Sequence, residues 1–236
     1  MKEKKINWEK WITIFVFASL VISIIFIILK LTIFKVDSDP VTGTYSLMLA
    51  QCFLGCAAII APSYLEKHLK LEIPSHMMIP YVIFLYCAIF LGEVRSFYYN
   101  FAYWDMFLHT LSGGMLGMLG FSIVSLLNKT KAVPIDLSPG FVAIFAFCFA
   151  ITIGVFWEIY EFSFDGFLGM NMQKFMLEDG TQFIGRAALT DTMQDLIVDC
   201  IGAFVATSLG YLAMKFDSKW LKNMQLKKEN KHDKTL

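Results

Sequence analysis

Eight side chains able to do acid–base or metal chemistry interrupt otherwise apolar stretches of the sequence: Glu93, Asp105, His109, Glu158, Glu161, Asp191, Asp195 and Asp199. Their spacing is helical. Asp105 and His109 are four apart, Glu158 and Glu161 three apart, and Asp191, Asp195 and Asp199 follow one another at intervals of four, so each set occupies one helix face. Small residues continue the same stripes: Gly113, Gly117 and Gly120 after His109, Gly154 before Glu158, and Gly202 and Ala206 after Asp199. Such positions let helices approach closely in a membrane. Each helix should therefore meet its neighbours through small residues and present acids at one end. One imidazole among several carboxylate oxygens suits a hard or borderline divalent cation such as manganese, iron, magnesium or calcium, and zinc also fits.

These residues need helices that cross a bilayer. Of the 236 residues, 57% are hydrophobic and only 17% charged, a balance that points away from a soluble domain. Apolar runs of roughly 20 residues, the length that spans a hydrocarbon core, fall at 11–34, 44–64, 76–97, 105–127, 140–162 and 191–214. Their unbroken hydrophobicity lacks the alternation of a barrel strand, so the fold class is an all-α, polytopic membrane bundle of about six transmembrane helices. The first run exceeds the apolar core of a cleavable signal peptide and is retained as a helix. The expected organisation is a segment 1–10, a membrane domain 11–214 and a basic tail 215–236.

Charge placement predicts orientation. Fifteen lysines precede the first span or follow the second, fourth and sixth, whereas Lys30, Lys35, Arg95, Lys174 and Arg186 make up the other group. Cytoplasmic flanks keep lysine and arginine, so both termini should lie inside a bacterial cytoplasmic membrane and the acidic helix ends should face out. The aromatic run Phe97–Trp104 reads as an interfacial belt, and 163–190 as a long loop able to form an interfacial helix or a lid. Lysine plus arginine equals aspartate plus glutamate at 20 each, which gives no sign of a nucleic-acid partner. Membrane lipids are the expected surroundings, and a lipid or small molecule the expected substrate if there is one. Cysteines 52, 56, 87, 148 and 200 sit in apolar runs and read as packing residues without disulfides.

Depth separates the candidates. A helix rises about 1.5 Å per residue, so Asp105 and Asp191 belong near the water boundary, with His109, Asp195 and Asp199 one to two turns inside. Asp105, His109, Glu158, Asp195 and Asp199 are accordingly the expected metal ligands, and Glu93, Glu161 and Asp191 the outer partners that orient them. Buried acids at this density require a cation, protons or water. Three uses remain open: a divalent-metal site, which with an open coordination position could serve a membrane hydrolase or transferase; a proton- or cation-coupled transport path; and a structural polar cluster that fixes helix register. Capping and the helix dipole account for Asp105 and Asp191 taken singly but not for Asp195 or Asp199. Ser112 lies near His109 but reads as a packing serine.

The segments Trp104-Asp-Met-Phe-Leu-His109 with Gly113 and Gly117, Trp157-Glu-Ile-Tyr-Glu161, and Asp191-Thr-Met-Gln-Asp195 with Asp199 and Gly202 resemble the YjdF-type family of bacterial membrane proteins over about residues 90–210. The last of them also resembles, more remotely, the VanZ-like membrane proteins linked to glycopeptide resistance. The resemblance implies a polytopic bacterial membrane protein and supplies motif positions without catalytic roles.

Overall fold

The computed structural model describes residues 7–33, 40–128, 137–177, 180–216 and 227–228. Lys35, Asp37, Lys129, Lys131, Glu178, Asp179 and Lys222, which entered the charge and loop arguments, lie outside them. Seven α-helices run through the described residues: α1 Trp8–Ile33, α2 Pro40–Leu69, α3 Ser75–Leu85, α4 Phe97–Asn100, α5 Trp104–Asn128, α6 Pro139–Leu168 and α7 Thr190–Lys215. Six helical segments are long and apolar enough to cross a membrane: Trp8–Ile33, Tyr45–Leu69, Ser75–Val94, Trp104–Val124, Pro139–Leu168 and Gly185–Lys215. Large apolar side chains such as Phe26, Phe156, Ile201 and Phe204 are exposed along them, as lipid-facing surfaces require. This is the expected all-α, multi-pass membrane architecture. Contacts divide it into two compact units, Met1–Trp104 with Leu226–Leu236, and Asp105–Gln225.

In the first unit Leu20, Ile24 and Ile27 of α1, spaced to share one face, pack with Cys52 and Ile59 of α2 and Met78, Val82 and Leu85 of α3. Pro62 lies inside α2 and has no N–H for the carbonyl of Ala58, four residues earlier. The Tyr81 hydroxyl of α3 donates to that carbonyl at 3.0 Å, which satisfies it where no water is at hand. The third span departs from the single regular helix expected over 76–97: α3 passes into a π-helical segment, Tyr86–Val94, and Ser96 then turns left-handed with φ of 57°. Glu93 of that segment accepts from Gln51 Nε2 of α2 at 3.0 Å. Leu71–Glu72 (β1) pairs antiparallel with Lys227–Lys228 (β2), so these two residues of the basic tail are tied to the α2–α3 connection.

The second unit is α5, α6 and α7 held together by the small residues. A Cβ on Gly113 would meet the Asp199 carbonyl oxygen at 2.5 Å, one on Gly120 the Ala146 Cα at 2.8 Å, and one on Gly210 the Phe121 ring at 2.5 Å. At Gly202 the Thr110 carbonyl oxygen occupies the place a side chain would take. Helix α6 is longer than expected. It continues past Glu161 to Leu168 and ends at Gly169, whose left-handed φ of 65° forms the C-cap. Glu158, Glu161 and Asp165 all turn inward on one stripe, and this keeps the helix intact where the drop in hydropathy suggested an end near 162. No interfacial helix forms among the described residues of 169–184. The chain there is irregular, with one bridge between Met176 and Gln182, and it enters α7 through a tight turn at Gly185–Leu189.

Candidate functional site

The first turn of α5, the inward stripe of α6 and the first turns of α7 meet at one end of the second unit. Asp105 and His109 come from α5, Glu158 and Glu161 from α6, and Asp191, Asp195 and Asp199 from α7. All seven candidates of this unit are therefore close together. Glu93 and Arg95 belong to the first unit.

His109 is the hub. Its Nδ1 lies 3.3 Å from Asp199 Oδ2, and the other oxygen of that carboxylate accepts from Ser112 Oγ at 3.1 Å. A carboxylate on Nδ1 fixes the ring and its tautomer, leaving Nε2 to face the remaining acids. Asp105 Oδ1 is 3.8 Å and Glu158 Oε1 is 4.0 Å from Nε2. Asp105, His109 and Asp195 each offer a ligand atom within 4.8 Å of the other two, and this group, with His109 and Asp195 buried and Asp105 half-buried, could hold a metal ion. Donors around an ion bound at about 2.1–2.4 Å stand roughly 3.0–3.4 Å apart when adjacent and 4.2–4.8 Å apart when opposite. The observed separations are close to that range.

Gly154 makes the arrangement sterically feasible. A Cβ there would lie 2.6 Å from Asp199 Oδ2, so the carboxylate occupies the space that the absent side chain leaves. Glu158 is only 5% exposed, and neither of its carboxylate oxygens has a hydrogen-bond partner of ordinary geometry among the described residues. A buried carboxylate in that condition is costly. Glu161 is held differently, accepting from Trp157 Nε1 at 2.8 Å one turn away.

The sequence reading missed a cation at the mouth of the site. Lys174 Nζ bonds Asp105 Oδ2 and stands 3.3 Å from Asp191 Oδ1. It lies in the connection after α6, outside the spans. Burial works to lower its pKa, but the carboxylates of Asp105 and Asp191 prevail and raise it above the ordinary lysine value. Asp165, also missed, builds the turn that delivers it: its two oxygens accept the backbone N–H groups of Met172 at 2.7 Å and Gln173 at 2.9 Å. Gln173 Nε2 donates to Thr192 Oγ1 of α7 at 2.8 Å. Asp165 continues the Glu158–Glu161 stripe, a signal that could have revealed it. Lys174 had no comparable signal.

Fold and site together define a multi-pass helical membrane protein with an acid–histidine cluster at one end of three closely packed helices. The chain belongs to the family described as "Predicted membrane protein (DUF2238)", whose profile matches residues 10–216. It is also 30% identical over 154 residues to an uncharacterized protein of Thermotoga maritima, a match covering 64% of this chain and 70% of that protein. No solved structure matches it.

Proposed function

We propose that the pocket binds a divalent cation through Asp105, His109, Asp195 and Glu158, with Asp199 orienting His109 and Asp191 and Glu161 as outer partners. The carrying observation is the grouping of Asp105, His109 and Asp195, whose ligand atoms all lie within 4.8 Å of one another, with the buried Glu158 carboxylate 4.0 Å from His109 Nε2. Manganese, iron, magnesium, calcium or zinc would suit the donor set. With an open coordination position, the ion would polarise a phosphoryl or acyl group or activate water, the chemistry of a membrane hydrolase or transferase acting on a lipid or small molecule.

The proposal places the pocket on the outer side of a bacterial cytoplasmic membrane with both termini inside. The lysine distribution supports this, as does the pairing of Leu71–Glu72 with Lys227–Lys228, which joins residues 227–228 to the α2–α3 connection. Kinship with YjdF-type proteins, and more remotely with VanZ-like ones, belongs to the same proposal and rests on the three motifs.

One observation favours a second reading. Lys174 already supplies a positive charge to Asp105 and Asp191, so the cluster could serve only to fix helix register. Thermal unfolding of the detergent-purified chain with chelator and with Mn²⁺ separates the two. An ion at one hundred times its Kd stabilises the folded state by about 2.7 kcal/mol. The cation reading expects a rise in the wild-type midpoint that Asp195→Asn reduces, whereas the structural reading expects none in either protein.

A further inference from the structure

We propose that Lys174 is the selectivity element of the pocket: its ammonium is a tethered monovalent cation that a divalent ion displaces from Asp105 and Asp191, and that sodium or potassium does not. The inference rests on the cation-binding reading above.

The position of the ammonium is built into the chain. Asp165 clamps the two residues before Lys174 by their backbone N–H groups, Gly169 ends α6 in a left-handed turn, and the Gln173 side chain is pinned to Thr192. Lys174 itself is left-handed, with φ of 45°, a conformation that side chains other than glycine and asparagine rarely adopt. The turn thus holds against local preference a side chain that reaches Asp105 and Asp191.

A tethered group acts at an effective concentration on the order of millimolar or more. A free alkali ion carries the same charge as the ammonium and gains no Coulombic advantage over it at these carboxylates. A divalent ion doubles the attraction to each one. It can also take ligand atoms that an ammonium, a hydrogen-bond donor without lone pairs to accept, cannot use as a coordination shell: His109 Nε2 and the carboxylates of Asp195 and Glu158. The lysine side chain is 32% exposed, so it has a route into water when displaced.

The test uses the full-length chain in detergent, with Mn²⁺ as the probe and its binding read by electron paramagnetic resonance. Titrations are compared in about 100 mM potassium chloride and in N-methylglucamine chloride of equal ionic strength, which keeps screening constant. Wild type and Lys174→Arg should give the same Mn²⁺ affinity in both salts. Lys174→Met should bind Mn²⁺ roughly tenfold tighter or more and lose several-fold of that in potassium. Lys174→Asn, which suits the left-handed backbone, should behave like Lys174→Met if the latter folds poorly. On the native chain, an amine-reactive reagent should modify Lys174 several-fold faster with Mn²⁺ than with potassium.

Equal Mn²⁺ affinity and salt response in all variants, or Lys174 reactivity unmoved by Mn²⁺ at saturation, would overturn this inference and leave the cation reading in place. No Mn²⁺ binding by any of the proteins would overturn the cation reading itself. Binding confined to the neutral variants would make Lys174 a permanent counter-ion and refute displacement.

Discussion

Gly154→Ala is the sharpest probe of how the site is assembled, because it adds one methyl group against the histidine's partner. The new Cβ would stand 2.6 Å from Asp199 Oδ2, about 0.8 Å inside the 3.4 Å at which ordinary contact begins. The carboxylate must retreat by at least that much or α6 must move. Asp199 Oδ2 stands 3.3 Å from His109 Nδ1, so a displacement of this size disrupts the geometry of that contact and of the bond from Ser112. Losing a hydrogen bond to a charged group costs about 1.5–3 kcal/mol. Losing the group that orients a metal-binding histidine lowers metal affinity by roughly 10–100-fold. The assay is Mn²⁺ titration of purified protein together with the thermal midpoint in chelator. Asp199→Asn should produce a similar loss, and the double variant little more than either alone, because both act through His109. Unchanged Mn²⁺ affinity in Gly154→Ala would refute the role given to Asp199.

Gly202→Ala should act on the fold instead. The group in its way is the Thr110 backbone carbonyl, which cannot swing aside, so α5 and α7 must separate and stability should fall by about 1–3 kcal/mol or more, with reduced recovery of folded protein. Glu158→Gln should have opposite effects in the two conditions: in chelator it replaces a buried carboxylate crowded by other acids with a neutral amide and leaves the protein as stable as wild type or more so, while with Mn²⁺ it forfeits a ligand and the stabilisation shrinks. Cysteine-accessibility labelling should find position 10 protected from an external reagent and position 174 accessible; a cytoplasmic position 174 would invert the pocket and sink the proposed topology.

Much of the architecture was legible because the membrane imposes it. Runs of about 20 apolar residues and the small-residue stripes at Gly113, Gly154 and Gly202 require only hydropathy and helical periodicity. The acids that meet around His109 were legible for the same reason, since intervals of three and four place them on common faces. Other features depend on tertiary contacts. The π-helical segment Tyr86–Val94 leaves no periodic mark distinct from an α-helix. The continuation of α6 past Glu161 depends on its acids turning inward, a direction that hydropathy averages away. Lys174 reaches the site through a turn set by Asp165 and a left-handed backbone, neither of which has a local signature. Asp199 belonged to the right stripe, but its place behind the imidazole follows from the space at Gly154.

The central claim is that Asp105, His109, Glu158 and Asp195 form one cation site, and equilibrium binding of Mn²⁺ to detergent-purified wild type and His109→Ala tests it most directly. The account predicts saturable binding of one ion per chain in wild type, with affinity at least about tenfold weaker in His109→Ala while the variant stays folded. Absence of saturable binding in wild type, or equal binding by both proteins, would contradict it.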